Sequence, residues 1–413
     1  MNRKIFLLAF VILVTSSAMA QQSASPLTLQ AVVDRYIQQN LDLQAARFRL
    51  ERTKADQIAA RFRPNPGLTV AAEKLPFSGP TPFGQLYEIS GIYTETIELG
   101  GKRQLRGQVA DLTISTAEAQ FEDTMRRGLA EVKRLYYDAV LARSNMEVAN
   151  DNRDTFEQLL QFNVTRFQEG AIPEGDLIKV RLERIKFDSA IRQAELSFRQ
   201  ATIRLLEKLG DSTYARQGIS GDLNFRLVTL DRESLRQLTL NERPDVKAAA
   251  REVEATTERL ELERARAKPD VSPFAGYIRV GHDNTVLFGV NVPLKLRDRN
   301  QAGIARAESD IKTAQTRLEL TRNHALAEVE AAYEALQTAR AQVQTFQNEL
   351  LRQSDESRTI TLAAYEEGGI ELLPVLEAQR TRAEVRQQYF KTLFDYQASL
   401  IDLELAVGKE LLP

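Results

Sequence analysis

The 413-residue sequence has no cysteine, no tryptophan and only 2 histidines. Lack of cysteine excludes disulfides, thiolate metal sites and lipid attachment through an N-terminal cysteine. His282 and His324 lie far apart, without ligand partners at metal-site spacing, so no metal site is expected. No Ser-His-Asp set or catalytic carboxylate pair can be argued, and the chain reads as a non-enzyme without a cofactor. Neither sign of charge dominates: 55 basic residues face 57 acidic ones, for a net charge of −2. Nothing in that balance argues for nucleic acid, and the mixture of signs suits long solvent-exposed helices. Beyond the N-terminus no apolar run is long enough for a transmembrane helix. A place in a membrane would therefore require a β-barrel.

Residues 1–20 have the pattern of a cleaved secretory signal. Arg3 and Lys4 precede an apolar centre, and Ala18-Met19-Ala20 forms a small-residue cleavage site before Gln21. The mature chain is expected to be exported.

Proline is also missing, from Pro293 to Pro374. Within that gap, Ala325, Val329, Ala332, Leu336, Ala339, Val343, Phe346 and Leu350 alternate four and three apart. This heptad seam predicts a helix coiled against a partner. A run from Asn300 to about Glu366 would reach about 100 Å. It stops at Glu367-Gly368-Gly369, and a second helix from near Glu371 to about Val407 returns along it.

The first half follows the same plan. Leu27 to Arg63 reads as helix with a break at Asn40-Leu41-Asp42. Strands are expected at about 67–75 and 87–99, around a proline-rich loop. A long helix from Gln104 to about Gln168 ends at Glu169-Gly170, and another begins after Pro173. Its seam includes Leu177, Val180, Phe187, Ile191 and Phe198, with Arg184 as an interruption. Residues 211–230 form a polar connection. Short motifs then recur about 200 residues later: Asp42-Leu43-Gln44-Ala45-Ala46 as Asp245-Val246-Lys247-Ala248-Ala249, and Phe167-Gln168-Glu169-Gly170 as Tyr365-Glu366-Glu367-Gly368. Strands of the second half are expected at about 271–280 and 284–293, with Gly281-His282-Asp283-Asn284 as the turn. The chain thus divides into a signal (1–20), a first repeat (21–210), a linker (211–230) and a second repeat (231–413). Each repeat is helix, β-hairpin, long helix, turn, helix.

Four strands alone are marginal in water, and their edges need partners. Three chains pooling their strands would give a twelve-stranded barrel, within the range of outer-membrane barrels. The fold class is mainly α with a small β part.

This plan resembles the TolC-like outer-membrane efflux family over essentially the whole mature chain. Thr94-Glu95-Thr96-Ile97-Glu98-Leu99-Gly100-Gly101-Lys102-Arg103 resembles the strand-to-helix junction of its heavy-metal-cation (cobalt-zinc-cadmium type) branch. Phe167 to Leu177 is similar to one hairpin tip, and Tyr365-Glu366-Glu367-Gly368 with Val375-Leu376-Glu377-Ala378-Gln379 to the other. The resemblance implies a homotrimer with a barrel in outer-membrane lipid, continued by an α-helical barrel across the periplasm. It implies docking onto a periplasmic adaptor and, through it, an inner-membrane pump of the resistance-nodulation-division type. The energy would come from that pump.

The family closes its periplasmic end with acidic rings. Here Glu377 holds the inner acidic position, and Pro374 replaces the outer acid. Asp176 matches the first-repeat aspartate. Tyr365 matches a tyrosine that ties the hairpins together, leaving a Tyr365–Asp176 hydrogen bond as the expected lock. Glu371, Glu366 and Glu367 are further gate candidates, although any of these acids may be read as a solvated surface group or a cap. Repeated around a narrow pore, three copies of Glu377 would attract cations. Gly170, Gly368, Phe167, Leu177, Val375 and Leu376 form the expected adaptor-docking tips. Gly100 and Gly101 lack the spacing of a phosphate loop. Lys102 and Arg103 are expected to mark the membrane–water boundary. Two other readings remain: a type I secretion duct for proteins, which shares the fold, and a periplasmic coiled-coil adaptor or scaffold.

Overall fold

The computed structural model describes residues 26–75, 78–80, 82–214, 217–228 and 230–411. The expected signal and part of the proline-rich loop lie outside the described residues.

Helices α1 (Leu29–Gln39) and α2 (Leu41–Ala60) meet at Asn40. The Asn40 side chain accepts from the Leu43 N–H at 2.8 Å, capping α2, and donates to the Lys208 carbonyl at 2.8 Å. After β1 (Gly67–Glu73), a short helix α3 (Phe83–Leu86) and β2 (Glu88–Thr94) comes α4 (Lys102–Gln168), 67 residues without a break. α5 (Glu174–Lys208) returns along it. The chain continues through α6 (Arg232–Glu242), α7 (Pro244–Arg266), β3 (Ser272–Val280) and β4 (Asp283–Asn291). α8 (Gln301–Thr345) leads through a five-residue π turn (Phe346–Leu350) into α9 (Leu351–Glu366), and α10 (Leu372–Val407) returns.

The π turn corrects the expected seam. Ala325 to Val343 are buried as expected, but Phe346 is only half-buried and Leu350 is exposed. A π turn accommodates one extra residue, so the inward stripe moves by one and resumes at Leu351 and Ser354. In α5 the interruption is Glu183, which is buried; Arg184 points outward and pairs with Glu157 at 3.2 Å.

The strands form one antiparallel sheet in the order β1-β2-β3-β4. Its two outer edges have no strand partner among the described residues. β2 ends earlier than expected, at Thr94, although Ile97 still bridges to Val271. The β3–β4 turn is Gly281-His282 alone, because Val280 already pairs with Asp283. The register places Leu68, Val70, Ile89, Tyr93, Tyr277, Val286, Phe288 and Val290 on one exposed face. Phe274 and Ile278 lie on the other face, where the Phe274 ring covers Gly289.

Two apolar clusters hold the helices. The larger joins the middle of the long helices through residues such as Val132, Tyr136, Leu205, Leu336, Tyr396 and Leu403. The connection after α5, expected to be polar, joins this core: Ile219 and Leu223 are buried, and the Tyr136 hydroxyl donates to the Ser220 carbonyl. The smaller cluster lies at the end farthest from the sheet.

The hairpin tips as the candidate functional site

Both tips close in the same way. At the first, the Gly170 N–H bonds the Phe167 carbonyl at 3.0 Å and the Ala171 N–H bonds the Arg166 carbonyl at 2.8 Å. At the second, Gly368 bonds Tyr365 at 3.0 Å and Gly369 bonds Ala364 at 2.8 Å. This paired bonding requires a left-handed residue after the helix, and Gly170 and Gly368 have φ of 74° and 79°. Pro173 and Glu371 then start the return helices. Pro374 falls in the first turn of α10, where a missing N–H costs no helical bond.

Behind the turns, Phe156, Leu159, Leu160, Leu177 and Val180 of the first hairpin pack against Tyr365, Leu372, Val375 and Leu376 of the second. Leu177, Val375 and Leu376 are therefore core residues, not an outward docking face; among the expected docking side chains only Phe167 is exposed. The heptad seam at Leu177 and Val180 finds its partner in the sister hairpin.

Several side-chain contacts near the tips fasten one hairpin to the other. The Tyr365 hydroxyl donates to the Asn163 side-chain oxygen, not to Asp176. Asn163 is fully buried and anchored by its amide to the Leu159 carbonyl at 2.8 Å. Asp176 pairs instead with Lys179 at 2.9 Å, one turn along α5. Burial pushes the Tyr365 hydroxyl pKa up, so it remains a donor. Arg166 covers the Tyr365 and Phe162 rings with its guanidinium, 5.4 and 5.5 Å from their centroids. Buried Glu183 on α5 takes Arg380 of α10 in a two-nitrogen ion pair, with Nε at 3.0 Å, and also Lys186 at 2.9 Å. Burial alone would raise the Glu183 carboxyl, but bonds from Lys186 and Arg380 outweigh it and hold the pKa below its ordinary value. Asn163, Arg166, Glu183 and Arg380 escaped sequence reasoning. Glu183 carried a signal, a charged residue three positions after Val180 on the seam.

The acids expected at a gate are on the surface. Glu377, Glu371, Glu366 and Glu367 are exposed, and Asp176 is half-buried. The bond and charge of Asp176 raise the pKa of Lys179, and the Glu371 charge adds to that shift.

At the opposite end, Lys102 is turned inward. It is 6% exposed, and its ammonium donates to Asp270 at 2.7 Å and to the Lys268 carbonyl at 2.8 Å. Asp270 also accepts the Leu99 N–H at 3.0 Å. A side chain at Gly100 would meet Lys268 Cδ at 2.8 Å, so this glycine permits the close approach. Gly101 starts α4, and Arg103 is exposed. Arg106 clamps Glu98 from α4, with Nη2 at 2.9 Å from the carboxylate. The junction thus joins the two halves of the chain through Lys102 and Asp270.

No helix of the described residues is long and apolar enough to cross a membrane, and no group of metal-ligating side chains occurs among them. The family described as "Outer membrane efflux protein" matches residues 32–211 and 235–409. The chain belongs to this family. It is 28% identical over 387 residues to the cobalt-zinc-cadmium resistance protein CzcC of Cupriavidus metallidurans, covering 92% of this chain and 90% of that protein. It is 26% identical over 287 residues to the nickel and cobalt resistance protein CnrC of the same species, covering 69% of this chain and 68% of the other. Its fold matches the open-state MtrE outer membrane channel of Neisseria gonorrhoeae, with a TM-score of 0.77 at 16% identity, covering 93% of this chain and 89% of that one. The CmeC outer membrane channel of Campylobacter jejuni gives 0.76 at 18% identity, covering 93% and 87%. The protein is an outer-membrane efflux channel of the TolC-like kind, and not an enzyme.

Proposed function

We propose that the chain is the exit duct of a tripartite efflux system for heavy-metal cations. Three copies close a twelve-stranded barrel in outer-membrane lipid, and their helices continue it as a tube through the periplasm. The observation that carries this reading is the four-stranded sheet with two edges unpaired among the described residues and one exposed apolar face, set at the end of a 67-residue helix. Such edges need strands from another chain, and such a face suits lipid. The two halves of the chain act as repeats, each supplying one hairpin of strands and one of helices. The cobalt-zinc-cadmium resistance relative supports metal cations as cargo. The channel does no work itself; an inner-membrane pump, reached through a periplasmic adaptor, supplies it.

In this duct the tips form the periplasmic gate. Exposed Glu377 and Glu371 and half-buried Asp176 become rings of like charge that favour cations. An adaptor reads the turns at Gly170 and Gly368 and the exposed Phe167, while Leu177, Val375 and Leu376 support them from beneath. Glu377→Gln in planar bilayers is expected to lower the preference for cations over anions. An unchanged current–voltage curve would remove Glu377 from the gate. Cells lacking the chain are expected to become sensitive to cobalt, zinc and cadmium. Unaltered metal tolerance alongside lost protein secretion would favour the secretion duct.

A further inference from the structure

The apolar core of the helices is interrupted. The large cluster reaches Val343 and Leu393, and the tip cluster begins again at Phe156 and Leu376. Between them, below the π turn, α4, α9 and α10 meet through charged side chains. Asp355 accepts from Arg382 Nε at 2.6 Å, and Asp151 accepts from Arg386 Nη1 at 2.7 Å. Arg358 is the third cation of this group, and it has no carboxylate at ion-pair distance among the described residues. Its hydrogen-bond partner is the Gln379 side-chain oxygen, 2.9 Å from its Nε. Burial and the neighbouring Arg382 guanidinium hold its pKa below the ordinary arginine value, against the opposing charges of Asp355 and Asp151.

The other end of that partner is also unsatisfied. Gln379 is 5% exposed, and its Nε2 finds no acceptor among the described residues. Arg358 and Gln379 line a recessed cavity of about 70 Å³ between α4 and α10. Thr155, Phe156, Leu159 and the exposed Glu366 also line it. A water needs only about 10–15 Å³ of such space.

We propose that this cavity binds a small monovalent anion, chloride in size and charge, between the Arg358 guanidinium and the Gln379 amide. Water would satisfy the amide but leave one positive charge in excess, because Asp355 and Asp151 are already paired with Arg382 and Arg386, and that is the costlier deficit. An anion meets both needs, through a charge-assisted bond from Arg358 and an ordinary one from Gln379. It sits where α9 and α10 face α4, two helical turns from Tyr365, and so fastens the second hairpin immediately above its tip.

The test uses the full-length channel in detergent, at constant ionic strength, in sodium gluconate, chloride or bromide. Chloride and bromide are expected to raise the unfolding midpoint by about 2 °C over gluconate. Crystals grown in bromide are expected to show an anomalous peak between Arg358 and Gln379. Gln379→Glu supplies the negative charge covalently: its midpoint in gluconate should equal or exceed that of the parent in chloride, and its halide response should vanish. Arg358→Gln should lose the halide response as well. A midpoint independent of the anion, with no bromide in the cavity, would mean a water-filled cavity and overturn the proposal. So would a Gln379→Glu channel that is less stable in gluconate and still gains from halide.

Discussion

The two long hairpins differ in one respect that bears on a gate. α4 runs for 67 residues as a single α-helix. Its counterpart is divided by the π turn at Phe346–Leu350; below that turn α9 pairs with α10 through Asp355 and Arg382, and α10 pairs with α4 through Arg386 and Asp151. The first hairpin is a continuous strut, while the second has a register shift and a polar seam above its tip. Apolar packing resists sliding because each side chain fills a fitted gap. A charged seam exchanges partners at lower cost. In the proposed duct, the first hairpin would be the fixed wall and the second would carry the part that moves.

The largest expected contrast lies between the two cores. Leu205→Ala, in the fully buried middle cluster, is expected to cost about 2–5 kcal/mol and to lower the yield of folded channel. Leu376→Ala, 8% exposed in the tip cluster, should leave global unfolding almost unchanged and increase hydrogen exchange only near the tips. Equal losses of global stability would erase the distinction between strut and tip.

Next is the Glu183–Arg380 pair. Glu183→Gln leaves the Arg380 charge without its carboxylate, a change of about 1–3 kcal/mol, read as faster exchange in α10 below the π turn. The same pair gives a pH dependence. Because the folded Glu183 carboxyl titrates below its ordinary value of 4.5, its stabilisation is complete above that pH and is lost as the pH falls through the folded value. Tip exchange should therefore accelerate in strong acid in the parent, and less so in Glu183→Gln.

A smaller effect is expected for Tyr365→Phe, which removes the bond to Asn163 at about 1 kcal/mol. Single-channel recordings should show longer openings with an unchanged conductance at the barrel. Deletion of Gln347, which would return the π turn to a regular α-helix, is expected to leave the fold intact and shorten those openings. If the deletion lengthens them, the register shift does not serve movement.

Much of this architecture was legible in periodicity. The seam from Ala325 to Val343 and the glycine tips depend on local spacing and on backbone conformations that few residues adopt. What escaped the sequence were pairings between segments far apart in it. Asn163 and Tyr365 are 202 positions apart, and Lys102 and Asp270 are 168. A lysine beside two glycines at a strand end suggested an interface; only the approach of Lys268 and Asp270 shows it enclosed. The π turn left no signal, because the heptad pattern continues through Phe346 and Leu350 while the backbone departs from it.

The proposed duct requires several copies of the chain to complete the sheet. Its most direct test is the mass of the protein extracted from outer membranes, by light scattering corrected for bound detergent. Three chains in each particle, recovered only with the outer membrane, are expected. A water-soluble monomer or dimer from the periplasm would contradict it, because the edges of β1 and β4 would then need no partner.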